Sequence, residues 1–573
     1  MAAVSFSPFA SHAGFLRANS DIYEWLVDRA AATSQKADAE AALRDVAIAA
    51  RFAAAFHPGR FADGAIENIA FRIGRQLAPT AGDANLDAMN IVARRNVRRV
   101  MHLASHINGV GGHTRMLYHW VRDDADSCHS LVVTHQADTP VPAWLSPALR
   151  ESGGFFAILE PELDLCEKAR RVRRMARHFA DLVVLHHDPN DVIPTVAFAR
   201  RDVPPVVVLN HADHQFWLGS SVVDMAVNLR TPGAEHTAER RFIFRNAILP
   251  VPLALPNAGL SRRDARLALG IAQDKIVLIS IGRGEKFRPC PSHDFVATAW
   301  RILEAEPRAH IYVVGECEAG IAPYLRSPIH SRLHFAGTRE DTSAYRSAAD
   351  IYVESFPFGS QTAVLEAALS GLPVVPAYAP LSPLLVANDD ALSHLLPNPS
   401  NEQEYRRCVD LLIKQPLQRA ALGESLRRRV MHDHVQSGWL ERLATLYQQT
   451  DALTHGPRAI PKFSNAETEH DIRLSHWHAT AGVPAGSTVH SNIEDTLLRH
   501  RAFVAKYAGN YPSARRLAFQ FIRVKPHQWV AWRLLFVTLL GRYAKVIRRH
   551  VSPKMLLVAR VDIARRDRLK TLL

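Results

Sequence analysis

The residues most able to do chemistry stand between 350 and 378, where a short apolar run leads into a glycine turn and then a helical pattern. Gly359 permits a tight turn, and Ser360 and Thr362 are residue types that commonly begin helices. The free amides and the dipole of such a helix start attract a diphosphate. Glu366, one helical turn further on, could accept both hydroxyls of a ribose. This stretch therefore predicts a nucleotide site.

Two further turns follow predicted strands and could contribute to the same site. The turn IGRGEKFR places Arg283 and Lys286 after the run at 276–282. Fixed cations beside a departing phosphate stabilise a transition state more than the ground state. The turn NGVGGHTR at 108–115 contains glycines that let a backbone approach a phosphate or an acceptor. It lacks the GxGxxG pattern, which disfavours a nicotinamide enzyme.

Histidines follow two other predicted strands. His211 and His214 stand in NHADHQFW after the run VVVL, and either one could bind a hydroxyl or assist proton transfer. The spacing of this pair is also seen in metal sites, but no further ligand set follows, so we expect no metal. The run at 186–188, His-His-Asp, is a weaker candidate on the acceptor side.

Two series of short β-branched runs, alternating with helical stretches, must position these residues. Unbroken apolar runs of this length are typical of parallel strands buried on both faces. We therefore expect an α/β protein with two Rossmann-like, doubly wound parallel sheets and a cleft between their carboxyl edges. A proline-rich linker at 248–259 separates the two series. The predicted strands are 100–107, 131–135, 155–160, 182–187 and 206–211, then 276–282, 310–316, 333–338, 350–355 and 373–378.

Residues 98–448 resemble the glycosyltransferases of group 1 (family 4), with features similar to the O-GlcNAc-transferase-like family. The stretch ESFPFGSQTAVLEAALSGLPVV carries the most specific part of the resemblance, and RRRVMHDHVQSGWLERLATLYQQ at 427–449 resembles the helix that crosses back to the first domain. The resemblance implies the GT-B fold and a nucleotide-sugar donor, without a cofactor.

The resemblance also implies roles for individual residues. The implied donor-binding residues are Arg283, Lys286, Gly359, Ser360, Gln361, Thr362 and Glu366. The implied catalytic residues are His211, Glu354 and Lys286, and an acceptor or phosphate loop would consist of Gly111, Gly112, His113 and His214.

The sequence departs from the family pattern at one position. Many retaining members have a second glutamate eight positions before the one that matches Glu366, and here Phe358 stands at that position. The nearest upstream acid is Glu354, and an acid followed by Ser-Phe-Pro resembles the O-GlcNAc-transferase-like pattern, whose members invert the anomeric centre. Retention and inversion therefore both stay open.

At 573 residues the chain is long enough for three or four domains. We expect a helical region at 1–96, a first, acceptor-side domain at 97–252 and a second, donor-side domain at 253–450. An irregular linker at 451–490 and a basic helical region at 491–573 would follow. Gly509, Tyr511 and Ala514 begin a spacing typical of a tetratricopeptide repeat, although a plain helical hairpin fits equally well.

Charge and cysteine content indicate the setting. From Leu497 onward there are 18 Lys and Arg against 2 Asp and Glu, so the net charge of +13 belongs to the C-terminal region. That region could contact an anionic membrane surface or a protein partner, whereas nucleic acid is disfavoured because no stacking platform accompanies the charge. The five cysteines lack paired spacing, and neither a secretory signal nor an apolar run of membrane-spanning length is visible. We expect a cytoplasmic protein, with peripheral contact at the inner face of the membrane left open.

The sequence thus favours transfer of a sugar from a nucleotide sugar to a glycan, a lipid-linked sugar or a protein, in the synthesis of an envelope polysaccharide or glycoconjugate. Alternatives are a sugar-nucleotide epimerase or a pyridoxal-phosphate-dependent phosphorylase on the same fold, and a non-catalytic scaffold.

Overall fold

The computed structural model describes residues 8–78, 97–109, 112–136, 139–255, 260–289, 293–325, 328–379, 392–463, 467–480, 493–524, 526–527 and 529–540. Two parallel β-sheets organise these residues, and helices cover both faces of each sheet. Within the described residues, no helix is long and apolar enough to cross a bilayer.

The first sheet has seven strands in the order β3-β2-β1-β4-β5-β6-β7, and every neighbouring pair is parallel. All five strands predicted for this domain are present. Its elements are β1 Arg98–Ala104, α4 Gly112–Asp123, β2 Ser127–Val133, α5 Leu145–Glu151, β3 Phe156–Ile158, α6 Leu165–Phe179, β4 Leu182–His186, α7 Ile193–Ala197, β5 Val206–Asn210, β6 Met225–Asn228, α8 Thr231–Arg241 and β7 Asn246–Ile248. The two short strands β6 and β7 were not predicted, and β7 takes the first residue of the expected linker, Ile248.

The second sheet has five parallel strands in the order β10-β9-β8-β11-β12, and all five were predicted. Its elements are α9 Arg262–Ala268, β8 Ile276–Ile281, a 3-10 turn Gly284–Phe287, α10 Phe295–Ala305, β9 Ala309–Val314, α11 Glu318–Ile321, a 3-10 turn Ala322–Tyr324, β10 Leu333–Phe335, α12 Ser343–Ala348, β11 Ile351–Val353, α13 Gln361–Leu369, β12 Val374–Val375, α14 Glu402–Lys414, α15 Pro416–His434 and α16 Gln436–Asp451.

Strand order reverses next to β1 in the first sheet and next to β8 in the second, and ligands bind such α/β sheets at the carboxyl edge of these reversals. Because β8 pairs directly with β11, the turn after β8 is brought beside the turn after β11. The pairing of β1 with β4 does the same in the first domain. The sheet topology thus gathers the predicted site residues.

The predicted closing helix is present as α15 and α16, with a break at Val435. The fully buried Trp439 of α16 donates from Nε1 to the carbonyl of Pro250 at 2.8 Å. Tyr447 of the same helix packs in the core of the first domain and donates to Asp124 at 2.5 Å. The helix therefore returns from the second domain to the first, as the resemblance implied.

The N-terminal helices α1 Pro8–Ser34, α2 Ala39–Phe56 and α3 Gly64–Gln76 are confirmed as helical. They share one apolar core with the first domain. Glu67 of α3 is buried and accepts from the backbone amides of Gly219 and Ser221 at 2.9 and 3.0 Å. This region is therefore packed onto the first domain.

The segment at 451–490 differs from the predicted irregular linker, because it contains the helix α17 Glu469–Thr480. Its Asp471 is buried, accepting from Arg240 at 3.0 Å and lying 2.9 Å from His57 Nε2. Leu474 joins Phe61 in a small core. Tertiary packing thus stabilises a helix that the polar local sequence did not indicate.

The C-terminal region contains α18 Ile493–Tyr507, α19 Tyr511–Val524 and α20 Trp529–Leu540, each packed on the next. Gly509 has a φ of +79°, a conformation that suits glycine at the turn between α18 and α19. The most basic part of this region, 541–573, lies outside the described residues. The alternatives of a tetratricopeptide-like repeat and a helical hairpin stay predictions.

Trp439 offers a test of the closing helix. We expect Trp439→Ala to lower the free energy of unfolding by about 3–5 kcal/mol, because it removes a fully buried aromatic side chain. Trp532→Ala, at a position 46% exposed, is the matched control and should cost less than about 1 kcal/mol. Urea titration followed by circular dichroism measures both, and an equal loss in the two variants would contradict the packing described for α16.

Candidate functional site

The turn after β11 forms the centre of the candidate site; we call residues 354–362 the donor turn. Ser355 Oγ donates to the carbonyl of Phe358 at 2.8 Å and closes the turn. Ser360 is the N-cap residue of α13, as its residue type predicted, but its side chain makes no capping hydrogen bond. The first backbone N–H groups of any α-helix have no acceptor within the helix. The amides of the first turn of α13, from Gln361 on, are therefore available to an anion.

One expected feature of the donor turn is corrected by the structure. The amide of Ser360 donates to Oε1 of Glu354 at 2.9 Å, so it does not face a ligand. Glu354 is 1% exposed and lies under the turn that it supports. Its role as a residue that touches the sugar is therefore not supported by its geometry. The sequence could not show this, because a strand-end acid is equally compatible with a buried or an exposed position.

Burial shifts the titration of Glu354. Loss of solvent raises the pKa of its carboxyl to about 7, and nearby backbone amides and Lys286 offset this only in part. Its second oxygen, Oε2, is buried and has no hydrogen-bond partner among the described residues. Ser360 Oγ and Gln361 Nε2 are likewise buried and have no hydrogen-bond partner among the described residues. Three buried polar atoms of one turn thus lack protein partners, which is typical of a site completed by a ligand or by water.

The turn that follows β8, residues 281–288, is called the basic turn. Lys286 joins it to the donor turn. Its Nζ donates to the carbonyl of Gly359 at 2.6 Å and lies 4.9 Å from the ring centroid of Phe358. Burial, together with the charge of Arg283, lowers the pKa of Lys286 to about 8. The structure therefore brings Lys286 and the donor turn together, as predicted.

Gly282 of the basic turn lies in close contact with Ser360 of the donor turn and with Gly315, which follows β9. A Cβ at Gly282 would lie 2.8 Å from Ser360 Oγ, and one at Gly315 would lie 2.3 Å from the carbonyl oxygen of Gly282. Arg283 differs from Lys286, because its side chain is 80% exposed and pairs with Glu285 at 3.1 Å. Only one of the two predicted cations, Lys286, thus contacts the donor turn.

Glu366 lies inside α13, and Arg346 of α12 donates to its Oε2 at 3.0 Å. The side chain of Glu366 keeps 30% of its surface exposed. The ion pair fixes the carboxylate and leaves it open to a ligand. Arg346 is a site residue that sequence reasoning missed, since nothing local connects it to a helix that begins more than ten residues later.

The first domain faces the donor turn at two points. A Cβ at Gly112 would lie 3.2 Å from Thr362 Oγ1, so the glycine turn meets the start of α13. The ring of His214 meets that of Phe358 edge to face at 5.4 Å. The other predicted glycine of this turn, Gly111, lies outside the described residues.

Imidazole rings line the first-domain side of this contact. His113 stacks on His211 with ring centroids 4.2 Å apart. Burial lowers the pKa of His113 to about 3 and that of His211 below its usual range, so both rings are neutral at pH 7. His211 Nδ1 lies 3.2 Å from the carbonyl of Leu209, which fixes the ring at the end of β5. Neutral imidazoles can accept a proton from a hydroxyl.

Phe358 occupies the position where many retaining relatives have a glutamate, and it is packed rather than free. Its ring stacks on Trp477 of α17 with centroids 5.6 Å apart and planes inclined by 26°. Helix α17 thus reaches the edge of the cleft from the C-terminal region. Sequence reasoning missed this contact, although Trp477 in a polar segment was a signal for it.

A carboxylate that the sequence did not single out fixes the strand ends of the first domain. Asp191 is buried and accepts from Ser105 Oγ at 2.7 Å and Thr134 Oγ1 at 2.6 Å. These hydrogen bonds and nearby His135 hold the pKa of Asp191 well below its usual range against the effect of burial. Asp191 therefore ties the carboxyl ends of β1 and β2 to the start of α7.

The shifted pKa of Glu354 predicts a pH dependence. Because the folded-state pKa lies above the unfolded value, the associated stability is present below pH 4.5 and is lost as the pH rises to about 7. Glu354→Gln removes this dependence, so the stability of wild type relative to the variant should fall by about 2–3 kcal/mol between pH 5 and pH 7.5. Urea titrations at the two pH values measure it.

A control of opposite sign is available for this test. The hydrogen bond from Arg17 lowers the pKa of exposed Glu467. Glu467→Gln therefore removes a contribution to the free energy of unfolding that grows as the pH rises. Parallel pH profiles for wild type and Glu354→Gln would contradict the buried state of Glu354.

Comparison with known proteins adds to this geometry. Residues 275–415, from the start of the second sheet through α14, match the sequence model of the family described as group 1 glycosyl transferases. A search of the curated proteins found no match.

Three solved structures that are similar to this chain have low sequence identity to it. Anabaena HepE in complex with UDP-glucose has 16% identity and a TM-score of 0.46, over 62% of this chain and 100% of that one. A mutant O-GlcNAc transferase of Thermobaculum terrenum has 17% identity and a TM-score of 0.45, over 75% and 84%. Sucrose-phosphate synthase from Thermosynechococcus elongatus has 15% identity and a TM-score of 0.42, over 62% and 100%. Residues 275–415 of the second domain are thus similar to the group 1 glycosyl transferases, and the two parallel sheets form the GT-B architecture.

Proposed function

We propose that this protein transfers a glycosyl group from a nucleoside diphosphate sugar to a hydroxyl of a glycan, a lipid-linked sugar or a protein. The observation that carries the proposal is the half-buried ammonium of Lys286 on the donor turn, next to three buried polar atoms that have no partner among the described residues. A cation partly withdrawn from water beside free helix-start amides favours a bound diphosphate over water.

In the proposed reaction the acceptor oxygen bonds to the anomeric carbon while the bond from that carbon to the phosphate oxygen breaks. The electron pair leaves with the nucleoside diphosphate, where Lys286 and the first amides of α13 stabilise the growing charge. Glu366, oriented by Arg346, binds the ribose hydroxyls. The proton of the acceptor goes to an imidazole of the first domain, where His214 contacts Phe358 of the donor turn and His113 stacks on His211. This scheme needs neither a metal ion nor a cofactor.

The structure also bears on the alternative of a decayed scaffold. Withdrawing an ammonium from water costs free energy unless a ligand compensates it. A protein that had lost its catalytic function would gain nothing from keeping this cost. Lys286 is held in that costly state by the turn around it. We therefore propose an active enzyme and leave its acceptor, an envelope polysaccharide or another glycoconjugate, to direct assay.

Lys286 should determine phosphate binding. We expect UDP, GDP or ADP to bind the purified protein with a Kd of roughly 10–100 μM, and Lys286→Ala to abolish this binding, as measured by isothermal titration calorimetry. Lys414→Ala, which removes an exposed lysine paired with Asp410, is the matched control and should bind as wild type does. Absence of binding by all three nucleotides would favour the scaffold.

Glu366 should instead determine recognition of the ribose. We expect Glu366→Ala to abolish nucleoside diphosphate binding while inorganic pyrophosphate still binds, because only the ribose contacts are lost. Glu424→Ala removes an exposed glutamate of α15 and serves as the control. Equal loss of nucleotide and pyrophosphate binding in Glu366→Ala would show that the carboxylate acts on the phosphate site.

A further inference from the structure

A histidine and an aspartate form a hydrogen-bonded pair at the carboxyl edge of the first sheet. His106 follows the end of β1, and Asp188 follows the end of β4. Because β1 and β4 pair where the strand order reverses, the two side chains meet at the place where α/β sheets bind ligands. His106 Nδ1 lies 2.8 Å from Asp188 Oδ2. Asp188 belongs to the run at 186–188 that the sequence indicated for the acceptor side, whereas His106 was not predicted.

The pair is accessible to solvent, in contrast to the histidines deeper in the same sheet. The side chains of His106 and Asp188 are 37% and 42% exposed, whereas His102 and His129 are fully buried. Nε2 of His106 makes no hydrogen bond to any of the described residues, and it is not among their buried polar atoms that lack a partner. A substrate hydroxyl can therefore reach this nitrogen, and a proton taken up there can leave to water.

Asp188 determines which nitrogen of His106 is free to accept a proton. Partial burial raises the pKa of the Asp188 carboxyl, but the hydrogen bond and charge of His106 outweigh this effect and hold the pKa below its usual value. An ionised carboxylate only accepts hydrogen bonds, so His106 donates from Nδ1. The neutral ring then has its lone pair on Nε2, the nitrogen that a hydroxyl can reach.

The turn after β4 is fixed to the end of β1 by hydrogen bonds. The amide of Asp188 donates to Ser105 Oγ at 2.8 Å, and Ser105 directly precedes His106. Ser105 Oγ in turn donates to the buried carboxylate of Asp191 at 2.7 Å. Asp188 is therefore held beside the residue that it pairs with, as expected of a group that orients a base.

The charged groups around His106 favour its uptake of a proton. The hydrogen bond and charge of Asp188 raise the pKa of His106 above its usual value, although burial opposes them. Asp191 raises this pKa as well, and Arg51 of α2 lowers it. The ring of His135 lies beside that of His106 with centroids 6.3 Å apart, and its Nε2 is 3.4 Å from Asp191.

His106 is a stronger base than the imidazoles at the contact with the donor turn. Burial lowers the pKa of His113 to about 3 and that of His211 below its usual range. The charge of Asp188 acts on both of these rings, so the pair of His106 and Asp188 lies in the same part of the cleft. The start of α4, where His113 stands, meets the donor turn.

We propose that His106 is the catalytic base that deprotonates the acceptor hydroxyl and that Asp188 is its positioning residue, an inference that rests on the proposed glycosyl transfer. Nε2 of His106 takes the hydroxyl proton while the acceptor oxygen bonds to the anomeric carbon. The bond from that carbon to the phosphate oxygen breaks, and its electron pair leaves with the nucleoside diphosphate. The imidazolium, stabilised by the carboxylate of Asp188, then releases its proton to water.

Turnover by the purified full chain tests the role of His106. We expect His106→Gln to lower kcat for release of nucleoside diphosphate about 100-fold, while nucleoside diphosphate binding measured by calorimetry stays unchanged. The substrates are UDP-glucose, UDP-GlcNAc, GDP-mannose and ADP-glucose, with water as acceptor. Exposed His432 of α15 forms a similar pair, with its Nδ1 2.9 Å from Asp433. His432→Gln is therefore the matched control and should keep wild-type kcat.

The pH profile distinguishes a positioned base from a purely structural pair. A base acts only when it is unprotonated, so kcat/KM should rise with pH through the raised pKa of His106. Asp188→Asn removes the carboxylate that raises this pKa, so the rise should move to lower pH and the plateau should fall. Lys286 and Glu354 titrate in a similar range but are present in both proteins, so the difference between the two profiles reports on Asp188.

Each outcome of these experiments has a definite meaning. A wild-type kcat in His106→Gln, an equal fall in His432→Gln, or the same pH profile in wild type and Asp188→Asn overturns the proposal and leaves the donor site intact. Loss of nucleoside diphosphate binding in His106→Gln, or wild-type binding without turnover of any of the four sugar nucleotides, overturns it too. Should His106→Gln fail to fold, the profile of Asp188→Asn decides alone. Failure of the wild-type protein to bind UDP, GDP and ADP overturns both this proposal and the proposed function.

Discussion

The hydrogen bond from Lys286 Nζ to the carbonyl of Gly359 is the interaction on which the candidate site depends. It joins two turns that follow adjacent strands and lie close together, since a Cβ at Gly282 would be 2.8 Å from Ser360 Oγ. Partial loss of solvent raises the free energy of the charged ammonium, and its pKa is lowered as a result. An anion bound at the start of α13 would remove that cost. This cost is the physical basis of the diphosphate site that we propose.

The remainder of the molecule holds the first domain against this site. Trp439 anchors the closing helix at Pro250, between the two sheets, and α17 adds Trp477 to the ring of Phe358. The terminal helices are therefore part of the body that forms the cleft. Helix α4 and the end of β5 place neutral imidazoles on one side, opposite the cation and the helix start on the other. This division is consistent with the proposed reaction, in which one substrate loses a proton and the other loses a leaving anion.

The sequence predicted what is local and missed what is long-range. All ten predicted strands, the donor turn and Lys286 are recorded in short patterns of apolar runs and turn residues. Two contacts depend on three-dimensional packing and could not be predicted. They are the ion pair of Arg346 with Glu366 and the hydrogen bond from the amide of Ser360 to Glu354. His102, His129 and His186 stand in three different strands, and only the strand order places them side by side. Gly111 and the basic tail are outside the described residues.

A crystal structure of the protein with a bound nucleoside diphosphate sugar is the most direct test of the proposed site. We expect the diphosphate to lie against the first amides of α13, within hydrogen-bonding distance of Lys286 Nζ, and the ribose hydroxyls to bind Glu366. We expect the sugar on the side of the cleft that carries His113 and His211. A nucleotide bound elsewhere on the protein, with the donor turn unchanged and empty, would contradict it.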